Sequence, residues 1–188
     1  MMILTRSKRF AEPSLGRTLR LFATGLIFGG LLVWTFLAQP YRLIINYTAS
    51  EPEGLYLLHW LGADALRRGE LVSFRYEAPW PILPYTTYPN GAGFLKRIAG
   101  VPGDRVQSKG GHYVLTTPDG DTQSLGTALT QTPSGVPVPY RAHYRGATIP
   151  VGRYYMAGDG NPDSYDSRYY GLISRSRIIG IDKLLWAW

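Results

Sequence analysis

The segment "GFLKRIAGVPGD", residues 93–104, decides the fold class. Its first seven residues suit a strand, in which neighbouring side chains point to opposite faces. Phe94, Lys96 and Ile98 then share one side, and Leu95, Arg97 and Ala99 the other. Val101-Pro102-Gly103-Asp104 closes the strand, with Pro and Gly in the two central positions of a type II turn. Lys96 is thus a basic residue between two large apolar neighbours. Periodicity leaves two outcomes open. The ammonium can snorkel into water along its apolar stem, or the amine can be desolvated. Burial lowers such a pKa from ~10.4 by as much as ~3–5 units. A shift of about three units favours the neutral amine by about 4 kcal/mol, and a neutral amine can take a proton from a serine hydroxyl. Arg97 cannot do so, because a guanidinium stays charged.

Working outward, other short runs carry the same strand character, at 42–48, 55–59, 70–76, 112–117, 153–157 and 178–185. The composition agrees: Gly 22, Pro 14, Tyr 14 and Trp 5 in 188 residues favour short strands and many turns over a helical bundle. "EAPWPILPYTTYPNG", residues 77–91, has four prolines and cannot be a central strand. The polar, Pro/Gly-rich stretch up to Pro150 reads as a small insertion with loose strands, at about 105–150. The fold class expected is mainly antiparallel β, a sheet domain over 39–188 behind an N-terminal transmembrane helix.

That helix is the run "LFATGLIFGGLLVWTFLA", residues 21–38, which holds no charge. Its length matches a ~30 Å hydrocarbon core. Gly25, Gly29 and Gly30 are acceptable in a membrane helix, and Gly25-x-x-x-Gly29 is a weak packing motif. The run is longer than the apolar part of a secretory signal and lacks a small-x-small site before a polar start. The chain is read as a basic stretch over 1–20, an anchor over 21–38 and the domain over 39–188.

The net charge of +7 would point to nucleic acid if it were spread over one face. Instead Arg6, Lys8, Arg9, Arg17 and Arg20 against Glu12 put +4 into the first twenty residues. Basic residues before a span keep that end cytoplasmic, so residues from about 39 onward are expected on the outer side of the membrane. No nucleic-acid partner is expected. The chain has no cysteine, which excludes disulfides, thiol nucleophiles and Cys-based zinc sites.

Two further stretches carry chemistry. "NYTASEPEGLY", residues 46–56, sets Ser50 at a sharp turn directly after a β-branched run. Asn46-Tyr47-Thr48 formally matches a glycosylation acceptor, a pattern short enough to occur by chance. "GDGNPDSYDSRYYG", residues 158–171, begins like a calcium loop with Asp159, Asn161 and Asp163. It fails at the sixth position, Ser164 for Gly, and at the twelfth, Tyr170 for Glu. No metal and no cofactor is expected. His59, His112 and His143 show no ligand spacing. Asp166 and Arg168 can pair locally, and Ser164 can offer a hydroxyl to a buried amine.

In this order behind a membrane anchor, the three stretches resemble the signal peptidase I superfamily of Ser/Lys membrane proteases. The resemblance rests on "KRIAGVPGD" and "GD…DSYDSRYYG". It implies Ser50 as nucleophile and Lys96 as its general base, with the Thr48 hydroxyl and the Ser50 backbone N–H as oxyanion donors. It implies Ser164 as the lysine's hydrogen-bond partner, Asp166 with Arg168 as the brace, and Asp159 as a supporting residue. The box Ser50-Glu51-Pro52-Glu53-Gly54-Leu55-Tyr56 looks like the conjugative-transfer, TraF-type branch, which matures pilin precursors by cleavage and in some members by cyclisation. Gly160 stands where the family usually has Asn. The partners implied are an exported or pilin precursor, the lipid bilayer and the conjugation apparatus. A general signal peptidase and a catalytically silent assembly factor are the rival readings. A self-cleaving repressor is excluded by the membrane span where its DNA-binding helices would lie. Trp80, Ile82, Leu83, Trp186 and Trp188 are candidates for contact with the membrane interface.

Overall fold

The computed structural model describes residues 15–37, 40–60, 66–77, 88–132, 134–138, 142–158 and 161–188. Trp80, Ile82, Leu83, Asp159 and Gly160 lie outside the described residues. The chain forms two compact units, Met1–Pro40 and Tyr41–Trp188.

The first unit contains one helix, α1, Leu15–Leu37, of 23 residues. At 1.5 Å per residue it spans about 35 Å, more than a bilayer's apolar thickness. It starts six residues before the uncharged run and so takes in Arg17 and Arg20. Both side chains are long enough to reach a headgroup layer from the first turns of a spanning helix. It is the one helix among the described residues long and apolar enough to cross a membrane.

The second unit is mainly antiparallel β. Its strands are β1 (Tyr41–Asn46), β2 (Gly54–Trp60), β3 (Leu71–Arg75), β4 (Gly93–Gly100), β5 (Arg105–Lys109), β6 (His112–Thr116), β7 (Thr122–Thr127), β8 (Arg145–Thr148), β9 (Arg153–Ala157), β10 (Ile173–Ser174) and β11 (Ile178–Ala187). A seven-stranded sheet runs β1-β2-β11-β3-β4-β9-β10, and a four-stranded sheet runs β7-β6-β5-β8. Seven of these strands match runs read from the sequence, with ends shifted by up to two residues. β5, β7 and β8 fall in the stretch read only as an insertion with loose strands, because their alternation is blurred by polar residues such as Gln107, Ser124 and Arg145, and the two-residue β10 was not anticipated. One cue was present: Gly110-Gly111 links β5 to β6, and both take positive φ (59° and 84°), as a tight hairpin turn demands.

The core has two apolar clusters. Val106, Tyr113, Leu115, Ile149 and Tyr155 lie in one, and Val72, Phe74, Tyr76, Ile98 and Met156 in the other. A single-turn helix, α2 (Ser167–Tyr170), lies between them: Tyr169 packs into the first cluster and Tyr170 into the second. Its position is what matters for the site, because α2 and its N-cap carry Asp166 and Arg168. The Pro-Gly turn after β4 forms as its residues require. Gly103 has φ 96°, Asp104 N–H donates to Val101 O at 3.1 Å, and the Asp104 carboxylate holds the Val101 N–H and Arg68.

Candidate active site

Strand β1 ends at Asn46, two residues earlier than its β-branched run, because Asn46 bonds the following turn with its side chain. Its Oδ1 accepts from the Thr48 N–H at 3.1 Å and the Thr48 hydroxyl at 2.7 Å. Its Nδ2 donates to the carbonyls of Thr48, Glu51 and Pro52 at 2.9, 3.1 and 3.1 Å. Those three acceptors fix which end of the amide is nitrogen. Tyr56 adds a fourth tie, donating its hydroxyl to Pro52 O at 2.6 Å. The chain then enters β2 at Gly54, where any Cβ would collide with the Trp186 carbonyl of β11. The Ser-x-Pro-x-Gly-Leu-Tyr box is therefore explained by the architecture of this turn. The glycosylation reading fails for the same reason, since the Asn46 amide is buried and fully engaged.

Ser50 lies on this turn with its Oγ 3.3 Å from Thr48 Oγ1. Because Asn46 Oδ1 can only accept, the Thr48 hydroxyl donates to it, and the Ser50 hydroxyl donates to Thr48.

Lys96 sits on β4 with Val72 opposite it on β3. It does not snorkel: it is 5% exposed and donates from Nζ to Ser164 Oγ at 2.6 Å. Burial pulls its pKa down to about 8, while Asp166 and Glu51 act to raise it and Arg168 to lower it.

Ser164 is held from its backbone. Its N–H donates to Asn161 O at 3.0 Å, and its carbonyl accepts from Arg168 Nη2 at 3.0 Å. Arg168 forks onto Asp166 with both contacts at 2.9 Å, and also holds Thr127 O of the smaller sheet. Asp166 caps α2 and receives the Gly158 N–H at 3.4 Å. Both charges are buried, and the bidentate geometry supplies the pairing such burial requires.

Gly158 joins the two halves of the site. A Cβ there would strike the Ser164 side chain and lie 3.2 Å from Ser50 Cβ, so the Ser50 turn and the hydrogen-bond partner of Lys96 press on one small residue. Thr48, Ser50, Lys96 and Ser164 all line one groove of about 760 Å³. Its walls continue along Arg42–Thr48 and Gly93–Leu95 and reach Ser73 and Leu58. No histidine lines this groove among the described residues, and no cluster of metal-ligating residues occurs among them. The sequence-predicted Thr48, Ser50, Lys96, Ser164, Asp166 and Arg168 thus converge. Asn46 and Glu51 were missed as functional candidates. The available signal was adjacency: Glu51 follows Ser50, Arg97 follows Lys96, and Glu51 Oε2 lies 3.3 Å from Arg97 Nη2.

An antiparallel sheet thus brings a turn serine and a desolvated lysine to one groove. The sequence profile described as "Signal peptidase, peptidase S26" matches residues 15–188, and the chain belongs to that family. It is 32% identical over 114 residues to a probable signal peptidase I-2 of Synechocystis sp., a match covering 60% of this chain and 44% of that protein. It is 33% identical over 95 residues to signal peptidase IB of Staphylococcus aureus, covering 46% of this chain and 49% of the relative. The chain spans about half the length of the curated relatives it matches. A crystal structure of a signal peptidase I from Enterococcus faecalis aligns over 64% of this chain and 98% of its own, at 19% identity and TM-score 0.37.

Proposed function

We propose that the protein is a membrane-anchored serine endopeptidase that cleaves exported proteins, with Ser50 as nucleophile and Lys96 as general base. The observation that carries this reading is the buried amine of Lys96, aimed at Ser164 Oγ at 2.6 Å and sharing a groove with Ser50. A fraction of that amine is neutral near pH 7, because burial lowers its pKa to about 8.

In the step proposed, Ser50 Oγ bonds to the scissile carbonyl carbon as its proton passes to Lys96 Nζ. The negative charge on the former carbonyl oxygen is met by the Ser50 backbone N–H and the Thr48 hydroxyl. Collapse breaks the C–N bond, and the Lys96 ammonium returns the proton to the leaving amine. A water, or the amine of a peptide end, then attacks the acyl-enzyme, loses a proton to Lys96 and releases Ser50. Water gives cleavage; a peptide amine gives ligation or a ring.

The substrate is read as an extended peptide. β1 is an edge strand of its sheet and lines the groove that holds Ser50, so its free backbone groups can accept an added strand. Exposed Leu43, Ile45, Tyr47, Trp186 and Trp188 form an apolar strip beside this edge. Ile45, Leu55 and Trp186 align across the strands, and Tyr47 and Trp188 have ring centroids 6.3 Å apart. Trp and Tyr favour the headgroup zone, which supports a site working at the membrane surface. The five basic residues before the span support a cytoplasmic N-terminus and a periplasmic domain; a reporter active only in the cytoplasm, fused to the C-terminus, should be silent.

Removal of signal peptides from exported preproteins is the substrate class that family membership supports. A single dedicated substrate, the conjugative pilin precursor, is the narrower reading favoured by the Ser50-to-Tyr56 box. Mass spectrometry of a pilin precursor and a panel of exported preproteins, with wild type, Ser50→Ala and Lys96→Ala, decides between them. Cleavage of many preproteins establishes the general role, and cleavage or ring closure of pilin alone the dedicated one. Processing that persists in both variants leaves only a non-catalytic assembly role.

A further inference from the structure

The turn bearing Ser50 and the strand bearing Lys96 are not neighbours in the sheet. Between β1 and β4 lie β2, β11 and β3, so no backbone ladder sets the separation of the two groups. Side chains do. Glu51, the residue after Ser50, reaches Arg97, the residue after Lys96, at 3.3 Å. The Glu51 side chain is 1% exposed and that of Arg97 35%. Arg97 is held in turn, donating from Nη1 to Gly69 O at 2.7 Å, while the Gly69 N–H donates to Ile98 O at 2.8 Å. The guanidinium is therefore fixed to the same strand segment that carries Lys96, and Glu51 brings the serine's turn to it.

A carboxylate this deeply buried beside a tight turn is a poor device for stability, because its desolvation offsets much of what an ion pair returns. The turn does not need it either, since Asn46 and Tyr56 already satisfy the local carbonyls. We infer that the Glu51–Arg97 ion pair is a clamp that sets the Ser50–Lys96 separation and holds a negative charge facing the amine, which makes Glu51 and Arg97 positioning residues for the Ser/Lys chemistry. This rests on the endopeptidase reading given above. Among the described residues, the charged groups facing Lys96 are Glu51 from the β1–β2 turn and Asp166 and Arg168 from α2 and its cap. Those facing Glu51 include Arg97 of β4 and Tyr56 of β2. Glu51 and Asp166 both work against burial at the amine. Replacing the Glu51 carboxylate by an amide should therefore lower the Lys96 pKa further and carry the rise in activity to lower pH.

The experiment uses the full chain in detergent and has two readouts. One is competitive acetylation of Lys96 Nζ across pH, read by mass spectrometry, which needs no substrate. The other is kcat and KM on a precursor the wild type cleaves. In Glu51→Gln the labelling midpoint should move to lower pH, and kcat should fall at least tenfold with KM within twofold. Arg97→Lys keeps the charge but not the two-armed grip, so its kcat should fall similarly with the labelling midpoint little changed. A wild type that cleaves nothing defeats the endopeptidase reading, while the labelling midpoint still tests the facing charge. An unmoved midpoint in folded Glu51→Gln overturns the clamp, and so does a kcat within twofold of wild type in folded Arg97→Lys.

Discussion

The hydroxyl of Thr48 donates to Oδ1 of Asn46 at 2.7 Å, and the same Asn46 side chain donates to three turn carbonyls. A buried amide thus presets an exposed hydroxyl beside Ser50. To serve an oxyanion, the Thr48 proton must leave Asn46 and swing towards the substrate, a rotation about one bond. The two residues should therefore fail differently. Thr48→Val removes one donor and should lower kcat by about 10²–10³-fold with the melting temperature nearly unchanged. Asn46→Ala should also destabilise the fold, by about 1–3 kcal/mol for each carbonyl left buried without a partner. Paired kinetics and thermal melts separate the two effects.

In the proposed mechanism the pH dependence of turnover follows from Lys96. Its folded pKa is about 8, below the ordinary 10.5, because burial disfavours the ammonium. Below pH 8 the rate should rise about tenfold per pH unit as the neutral amine accumulates, then level off. Stability has a matching sign. A base with a depressed folded pKa penalises the fold where it is charged, so stability should climb between about pH 8 and 10.5. A kcat/KM profile with no acid limb near pH 8 would remove Lys96 as the base.

Most of this site could be read before the fold was known. Chain order and residue type singled out Ser50, Lys96 and Ser164, which line one groove, and the Asp166–Arg168 pair, which holds the Ser164 carbonyl, because each lies in a locally distinctive turn or strand. What the sequence hid depended on distant strands meeting. Glu51 and Arg97 look like ordinary surface charges until the sheet brings them together. Asn46 resembled a glycosylation acceptor because its real partners are turn carbonyls, which carry no sequence signal. The second sheet was read as loose strands because β5, β7 and β8 alternate poorly, and only the Gly110-Gly111 turn marked a hairpin.

Asp182, at the centre of β11, gives a second pH effect of opposite direction. It is 5% exposed, and neither carboxylate oxygen has a well-formed hydrogen bond. Burial raises its pKa to about 7; the nearby Ser73 hydroxyl and N–H lower it only partly, since they approach without reaching good geometry. An acid with a raised folded pKa leaves the fold unpenalised below its unfolded value and weakens it as pH rises towards 7. The full loss is about 4 kcal/mol for a shift of this size. Asp182→Asn should flatten the fall in melting temperature between about pH 4 and 7; an equally steep fall in the variant would show that another group is responsible.

Arg168 tests the brace. Its guanidinium holds Asp166 through two contacts and the carbonyls of Ser164 and Thr127 through two more. An ammonium cannot reproduce that fork. Arg168→Lys should therefore lose about 3–5 kcal/mol of stability, as broken buried pairs do. The surviving folded fraction should turn over slowly, since Ser164 would no longer be fixed against Lys96. Urea melts combined with active-site titration distinguish lost protein from slow protein.

Gly158 offers the narrowest test of the site's geometry. Its φ does not require glycine, so Gly158→Ala introduces no backbone strain, only a methyl group. That methyl would meet the Ser164 side chain on one side and Ser50 Cβ at 3.2 Å on the other. Either Ser164 leaves Lys96 or the Ser50 turn moves outward, and each breaks an alignment that must hold to well under 1 Å. The expected loss in kcat is about 10²-fold or more, with a much smaller change in melting temperature than Arg168→Lys produces. Full activity in Gly158→Ala would mean that Ser50 and Ser164 are not wedged together in the working enzyme. The approach of the Ser50 turn to Lys96 would then have to be set by the Glu51–Arg97 pair alone.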